Sequence, residues 1–301
     1  MADAFDPSQP PADIRSRIDT TKPHPARVYD VMLGGKDNYP VDRQAAAAAI
    51  ANHPQGFLTA RHNRDFLRRA VTALVEKEGI RQFLDIGTGL PTAQNVHQIA
   101  QAIAPESRVV YADNDPVVLA HARALLTSGP EGRTEYIDAD LRDYPSILRE
   151  AARTLDFDQP IALGLVAVLH FIDDDEAYGI VRELLDALPS GSWLIFSHMA
   201  SDLHQEDTAK VVESFKKSGL TFYLRSQAEV ERFFTDNGLT LAEPGVVPVP
   251  QWRPDGAAPV PPTPDPEYYE SLDLIDRIKY HDINDLTKAT VAVHAALGRK
   301  A

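Results

Sequence analysis

The sequence predicts an α/β protein whose core is a mostly parallel β-sheet covered by helices on both faces. Short segments that are apolar throughout alternate with longer segments whose apolar residues recur every three or four positions. Strands buried on both faces of a parallel sheet have this continuous apolar character, and the intervening helices act as crossovers. The predicted strands are 81–85, 108–112, 136–137, 161–168 and 193–196.

Composition narrows the possible functions. The chain has 301 residues, 44% of them hydrophobic, which is enough to bury the core of one large domain or two. It has no cysteine, which excludes disulfides, thiolate catalysis and cysteine-ligated metals, and its ten histidines show no metal-ligand spacing, so we predict no metal. The formal charge of −14 argues against a nucleic-acid partner. No apolar run approaches the ~20 residues of a membrane span and no secretory signal is present, so we expect a soluble, cytoplasmic protein.

The first predicted strand leads into a glycine turn. Ile86 follows the strand, and Gly87 and Gly89 permit positive φ and remove Cβ atoms where backbone must approach a ligand. Pro91 suits the first position of the helix expected next. The order of strand, glycine turn and helix predicts the floor of a cofactor site, although many α/β proteins use such a turn only to reverse the chain.

The amino-terminal part of the chain has three sections. Residues 1–18 are predicted to be a disordered tail. In 19–40, polar and aromatic residues surround Gly34 and Gly35, which fits either a binding loop or a surface turn after a short helix. Helices are expected over 41–52 and 58–78. The second has a basic face, interpreted as solvated, that consists of Arg61, His62, Arg64, Arg68 and Arg69.

The alternation of strands and helices stops beyond residue 197. Further helices are predicted over 203–217, 227–234 and 267–279, and further strands over 239–241 and 290–296. Nine prolines between 244 and 266 interrupt any periodicity, so this stretch is expected to be a loop or an extended arm.

Polar side chains follow each of the first four predicted strands. Asp85, Asp113 and Asp140 follow the first three, and His170 follows the fourth. Ligands of open α/β sheets bind outside the carboxyl ends of the strands. A single acidic residue there is usually solvated or caps a helix, but three at consecutive strand ends indicate a binding site.

The carboxylate after the second strand suggests the kind of cofactor. Asp113 is placed to accept hydrogen bonds from both hydroxyls of a ribose, which suits NAD or S-adenosylmethionine. The third glycine of the dinucleotide motif is missing, Pro91 removes an N–H that a pyrophosphate would use, and Asp85 suits an ammonium group better than a phosphate. S-adenosylmethionine is therefore favoured. An NAD(P)-dependent oxidoreductase, and a sensor that binds an adenosyl metabolite without catalysis, remain alternatives.

Several motifs resemble a known group. Residues 85–89 resemble motif I of class I S-adenosylmethionine-dependent methyltransferases, and 111–116 resemble their strand-two motif. The stretches PARVYDVMLGGKDNYPVDRQA, NRDFLRRAV, RQFLDIGTGLPTAQNVH, VVYADNDPVVLAHARALL, YIDADLRD and VAVLHFIDDD resemble the actinobacterial S-adenosyl methyltransferase family, formerly catalogued as a domain of unknown function. The resemblance extends from about residue 18 to residue 253.

The resemblance implies a Rossmann-like class I methyltransferase fold, with a seven-stranded, mostly parallel sheet whose last strand is antiparallel. Strand six would cover 239–247 and strand seven 289–297. The domains implied are an amino-terminal helical lid over 19–79 and a methyltransferase domain over 80–301, which includes inserted helices in 203–236 and a proline-rich arm in 244–266. The role of 255–288 stays open, because the resemblance covers it least.

The same resemblance assigns residues to the cofactor. The methionine part would lie along Gly87, Thr88 and Gly89, with Asp85 near the ammonium. The ribose would bind Asp113, and the adenine would lie against Asn114, Asp140 and Leu141. Three residues of the lid would close over the cofactor: Gly34, Gly35 and Tyr39.

The methyl acceptor is expected to be a small molecule. Methyl transfer from a sulfonium is an in-line displacement that depends mainly on positioning, with a possible base for the acceptor proton. His170 is the candidate for a base or an acceptor-orienting group, with simple local packing as the alternative. His198 is a candidate acceptor-binding residue. Phe222, Tyr223 and Trp252 are candidate apolar walls of the acceptor pocket, although such residues more often pack in a core. Acceptor identity, the atom methylated and the oligomeric state stay open.

Overall fold

The computed structural model describes residues 16–52, 56–91, 94–125, 128–258, 260–277, 280, 282–284 and 291–301. These residues form one mixed sheet flanked by helices. The strands are β1 (Gln82–Ile86), β2 (Arg108–Asp113), β3 (Arg133–Asp138), β4 (Ala162–Val166), β5 (Trp193–Met199), β6 (Leu239–Leu241), β7 (Val247–Pro248) and β8 (Val293–Lys300). Their order is β3-β2-β1-β4-β5-β8-β6, and β7 also pairs with β8.

The directions of the strands confirm the predicted sheet. The first five strands are mutually parallel, and β8 lies antiparallel between β5 and β6. The single sixth strand expected over 239–247 is instead two short strands, which makes eight in all. Between them lie Pro244, which has no N–H to donate, and Gly245 with φ +85°, so the ladder cannot continue through this turn.

The helices cover the sheet and its carboxyl edge. They are α1 (Pro25–Leu33), α2 (Pro40–Asn52), α3 (Gly56–Lys77), α4 (Val96–Ile103), α5 (Pro116–Leu125), α6 (Tyr144–Ala151), α7 (Asp174–Asp186), α8 (Gln205–Lys217), α9 (Gln227–Thr235), α10 (Pro266–Ser271) and α11 (Leu274–Arg277). Alternate side chains of each strand supply the two cores: Leu84 packs with α6, α7 and α9, whereas Phe83 packs with α3 and α4.

Two predicted helix boundaries are wrong. The helix after the glycine turn begins at Val96 rather than Pro91, because Asn95 and Gln98 form a reciprocal capping box. The helix expected over 267–279 is two short helices, because Leu272 is extended and Asp273 accepts a hydrogen bond from the N–H of Asp276 at 2.9 Å, which starts a new turn. Residues 278–279 lie outside the described ranges.

Helix α6 was not predicted from the sequence. Its start is marked by Asp143, whose side chain accepts a hydrogen bond from the N–H of Ser146, and by Pro145 in the first turn. Both are standard start signals. The helix is short, which is why its periodicity was weak evidence.

The amino-terminal helices build a third apolar cluster away from the sheet. In it α1 packs on α2 and α3, and α2 packs on α8. Residues 1–15 of the predicted tail lie outside the described ranges, while Arg17 donates a hydrogen bond to Asp138 at the end of β3 at 3.0 Å. The carboxyl edge of the sheet is therefore covered by helices from both ends of the chain.

Within the described ranges, no helix combines the length and apolar character needed to cross a membrane. In the same ranges, no three His, Asp or Glu residues gather where a metal ion could be held.

Candidate functional site

A cavity of ≈ 300 Å³ lies where the carboxyl ends of β1, β2, β3 and β4 face α1, α2, α3 and α8. Its lining includes Asp85, Asp113, Asp140 and His170, the residues expected at the four strand ends. Parallel strands bring their carboxyl ends to one edge of the sheet, so this gathering follows from the topology.

The glycine turn forms the floor of the cavity. Gly87 has φ +76°, and its N–H donates to the carbonyl of Ala112 on β2 at 2.8 Å. A Cβ at this position would lie 2.4 Å from Cγ2 of Val168, which also lines the cavity. Gly89 has φ +67°. The turn therefore requires glycine at Gly87 for both its backbone angle and its space.

A buried carboxylate lies directly before that turn. Asp85 is 6% exposed, and the hydroxyl of Thr88 donates to its backbone carbonyl at 3.1 Å. Burial raises the pKa of Asp85 to about 6, and the positive charge of Arg64 opposes part of that rise. A buried carboxylate of this kind gains from a cationic ligand.

Helix α3 places two polar residues against the same end of the cavity. The Tyr29 hydroxyl donates to the carbonyl of Ala60 at 3.0 Å, so its oxygen accepts from Nδ2 of Asn63, also at 3.0 Å. This fixes the Asn63 amide, and its buried Oδ1 accepts no hydrogen bond from any residue that the structure describes. Arg64 donates to the carbonyl of Gln94 at 3.2 Å and lines the cavity. The cavity thus has a carbonyl oxygen and a guanidinium beside a carboxylate.

The end of β2 presents a second buried carboxylate. Asp113 is 8% exposed, and it accepts from the N–H of Gly89 at 2.8 Å and from the N–H of Asp115 at 3.0 Å. Burial raises the pKa of Asp113, while these two hydrogen bonds oppose the rise. The carboxylate is held at the edge of the glycine turn.

The ends of β2 and β3 are joined by side chains. Nδ2 of Asn114 donates to Asp140 at 2.9 Å, and the other oxygen of Asp140 accepts from the N–H of Arg142 at 2.9 Å. Leu141 between them is buried. Asn114, Asp140 and Leu141 all line the cavity, at the end away from Arg64.

His170 lies on a short 3₁₀ turn that follows β4. Its ring is 5% exposed and stacks on Phe222, with centroids 5.1 Å apart and planes at 15°. Burial, with a smaller contribution from Arg225, lowers the pKa of His170 to about 3. The imidazole is therefore neutral at physiological pH, and its Nδ1 has no hydrogen-bond partner among the described residues.

Comparison with known proteins identifies the family. The sequence profile of the S-adenosyl methyltransferase family matches residues 11–301. The chain belongs to this family. It is similar to a DUF574 family protein from Streptomyces avermitilis, with 43% identity over 95% of this chain and 100% of that one and a TM-score of 0.81. It is also similar to a candidate methyltransferase from Thermobifida fusca, with 37% identity over 97% of this chain and 98% of that one and a TM-score of 0.75. A search of curated proteins finds no match.

Family membership settles the reaction class. The protein is an S-adenosylmethionine-dependent methyltransferase with a Rossmann-like fold, as expected from its motifs. The alternative of a nicotinamide-dependent oxidoreductase finds no support.

The methyltransferase's helix α1 is fixed to the carboxyl edge of the sheet. Nδ1 of His24 lies 2.9 Å from a carboxylate oxygen of Asp115, and Nε of Arg27 lies 3.6 Å from the same oxygen. The Arg27 guanidinium also lies over the Tyr39 ring, 5.3 Å from its centroid. Asp115 caps α5 through the N–H of Val117, so α1 is linked directly to the loop that follows β2.

The residues expected to close the lid do not line the cavity. Gly34 ends α1 with φ +78°, Gly35 packs against the carboxylate of Asp30, and Tyr39 packs with Leu90 beside α5. A tight helix end needs glycine for its backbone, so the pair is explained structurally. The side of α1 that faces the cavity carries Ala26, Val28, Tyr29 and Met32 instead.

Two of the expected acceptor residues, His198 and Tyr223, lie beside the cavity rather than in its lining. His198 is fully buried behind His170, and its Nε2 lies 2.6 Å from a guanidinium nitrogen of Arg225. Tyr223 is 39% exposed, and only its backbone N–H reaches His170, donating to the carbonyl at 2.8 Å. Its neighbour Phe222 lines the cavity, because successive side chains of an extended segment point in opposite directions.

Trp252, another expected acceptor residue, lies in the core. It is fully buried and packs edge to face on Phe66 of α3, with centroids 5.4 Å apart. Arg69 donates to its carbonyl at 2.9 Å. The structure therefore assigns Trp252 to packing under the sheet.

Two residues of the cavity lining, Asn63 and Arg64, were not predicted from the sequence. Arg64 belongs to a basic helical face that was interpreted as solvated, and only the packing of α3 against the sheet shows that it faces the glycine turn. Phe222 was predicted as an apolar wall together with Tyr223 and Trp252, and of these three aromatic residues it is the one that lines the cavity.

Proposed function

We propose that the protein transfers the methyl group of S-adenosylmethionine to a small-molecule acceptor held in the cavity beneath α1 and α8. The observation that carries this proposal is the continuity of the cavity, which runs from the glycine turn to His170 and Phe222 under a roof of helices. A roofed site excludes water and admits a small molecule more readily than a folded macromolecule.

The residues at the glycine turn fit the methionine part of the cofactor. Asp85 and the unpartnered Oδ1 of Asn63 are acceptors suited to the ammonium, and Arg64 suits the carboxylate. Gly87 and Gly89 leave the backbone open to the ligand.

The residues at the ends of β2 and β3 fit the adenosine part. Asp113 would accept from the ribose hydroxyls, and Asn114, Asp140 and Leu141 would lie against the adenine. The segment 19–79 would serve as the lid, with α1 closing the site through its contacts to Asp115.

Bound S-adenosylmethionine supplies an electrophilic methyl group on a sulfonium sulfur. The protein's own residues orient the cofactor, exclude water and position the acceptor. His170 is neutral, so it can donate or accept one hydrogen bond to the acceptor without adding charge to the site.

Replacing Asp113 tests this assignment. Asp113→Ala should weaken the binding of S-adenosylhomocysteine by roughly 1 to 3 kcal/mol, measured by isothermal titration calorimetry, because paired hydrogen bonds to a carboxylate are lost. Asp138→Ala is a matched control, since Asp138 pairs with Asp113 in the β2–β3 register but lies outside the cavity lining. Equal affinities in both variants would contradict the ribose role, and no binding by the unaltered protein would contradict the function.

Replacing Arg64 tests the methionine end. Arg64→Met should weaken S-adenosylhomocysteine binding by about 10- to 100-fold but leave the binding of methylthioadenosine, which lacks the amino-acid carboxylate, unchanged. Arg68→Met is the control, because Arg68 pairs with Asp65 and Asp255 outside the cavity. An equal loss for both ligands would show that Arg64 acts only on the fold.

A further inference from the structure

The cavity has a second compartment beyond the strand ends. It is walled by α1, α2, α8 and the segment that follows α8, and we call it the apolar chamber. Its principal side chains are Val28, Met32, Ile50, Phe215, Leu220 and Phe222. These residues belong to the third apolar cluster, which is separate from the two cores of the sheet.

The carboxylate and guanidinium side chains of the lining belong to the other compartment. Among the described residues that line the cavity, the Asp and Arg side chains are Arg64, Asp85, Asp113, Asp140 and Arg142. All five lie at strand ends, on the short turn after β3, or on the part of α3 that faces the glycine turn. His170, where the two compartments meet, is neutral because of its burial. A charged acceptor would lose its hydration in the chamber without gaining a counter-ion.

One wall of the chamber is a continuous series of stacked rings. Phe215 stacks on Phe222 with centroids 4.9 Å apart and planes at 27°, and Phe222 stacks in turn on His170. Phe171 adds a tilted ring 4.9 Å from Phe222. A flat aromatic molecule can extend such a stack, whereas a branched aliphatic one contacts it less well.

We propose that the methyl acceptor is an uncharged, planar aromatic molecule that carries a hydroxyl group, seated in the apolar chamber with its hydroxyl beside His170. This inference rests on the proposed function. The hydroxyl oxygen uses a lone pair to bond the methyl carbon, the electron pair of the broken carbon–sulfur bond returns to sulfur, and the hydroxyl proton is released to bulk water. The neutral His170 ring orients the hydroxyl by one hydrogen bond.

A matched pair of probes tests whether the chamber prefers an uncharged acceptor to a charged one. The full-length protein, saturated with S-adenosylhomocysteine, is titrated at neutral pH with para-ethylphenol and with para-hydroxybenzoate, which are similar in size and differ by one charge. We expect para-ethylphenol to bind at least about tenfold more tightly. Equal or tighter binding of para-hydroxybenzoate overturns the proposal, and so does a lack of binding by para-ethylphenol.

Substitutions in and beside the apolar chamber test whether para-ethylphenol binds there. Phe222→Leu removes the central ring of the stack but keeps the site apolar, and it should weaken para-ethylphenol binding by about fivefold or more without changing S-adenosylhomocysteine affinity. Tyr223→Leu, one residue away and outside the cavity lining, should change neither. Val211→Lys adds a cation to the chamber wall and should reverse the preference in favour of para-hydroxybenzoate.

The measurements also distinguish a failure of the proposed function from a failure of the acceptor proposal. Wild-type binding of S-adenosylhomocysteine is measured first, and its failure counts against the proposed function. Normal cofactor binding with unaltered para-ethylphenol affinity in Phe222→Leu overturns the acceptor proposal alone.

Discussion

Gly87→Ala should abolish useful cofactor binding, with S-adenosylhomocysteine affinity reduced by about 100-fold or more, close to 3 kcal/mol. Two effects act together. The new Cβ would lie 2.4 Å from Cγ2 of Val168, so one of the two cavity walls must move. Alanine is also disfavoured at φ +76° by about 1 to 2 kcal/mol. Both distort the turn that holds Asp113 through the Gly89 N–H.

Gly245→Ala is the control for the backbone part of this effect. Gly245 has φ +85°, no atom lies within 4 Å of its ideal Cβ position, and it lies outside the cavity. It should lose about 1 to 2 kcal/mol of unfolding free energy and keep wild-type ligand affinity. Calorimetric titration and denaturant unfolding of both variants give the comparison. Wild-type affinity in Gly87→Ala would contradict the assignment of this turn as the cofactor floor.

Sequence patterns were sufficient to predict the site residues that lie at the carboxyl ends of the parallel strands. Asp85, Asp113 and Asp140 each end an apolar segment, and a parallel sheet must bring such positions to one edge, so their gathering was predictable. The antiparallel last strand was different. It came from resemblance to the family, since no local pattern distinguishes a parallel strand from an antiparallel one when both are buried.

The rest of the site depends on tertiary packing. Arg64 and Arg68 lie one turn apart on the same helix, yet one lines the cavity and the other pairs with Asp255 of the proline-rich arm. From helical spacing alone, both arginines are interpreted as part of a solvated basic face. The choice between them depends on where the arm crosses α3, which no window of the sequence contains.

Dependence on tertiary packing also explains why the lid residues Gly34 and Gly35 were expected in the cavity lining but do not lie there. Gly34 and Gly35 attracted attention because glycine pairs often approach ligands, but here they end α1 and make room for Asp30. The part of this segment that lines the cavity is α1, whose Tyr29 fixes Asn63. A polar and aromatic composition therefore indicated a segment beside the cavity but not the residues within it that line it.

Trp252→Ala should cost about 3 to 5 kcal/mol of unfolding free energy and leave S-adenosylhomocysteine affinity unchanged wherever the variant is folded. Trp252 is fully buried against Phe66, and its removal opens a cavity that the neighbouring segment cannot fill, because Arg69 holds the carbonyls of Trp252 and Val249 in place. Urea unfolding measures the first quantity and calorimetry the second.

Tyr223→Ala is the comparison for Trp252→Ala, because it removes an aromatic side chain that does not pack in the core. Tyr223 is 39% exposed, so its truncation should change the unfolding free energy by no more than about 0.5 kcal/mol. If Trp252 were instead an acceptor wall, Trp252→Ala would leave stability near the wild-type value and weaken acceptor binding. The expected pattern is the opposite, because Trp252 packs with α3 in one of the two cores of the sheet and does not line the cavity, whereas Phe222 does.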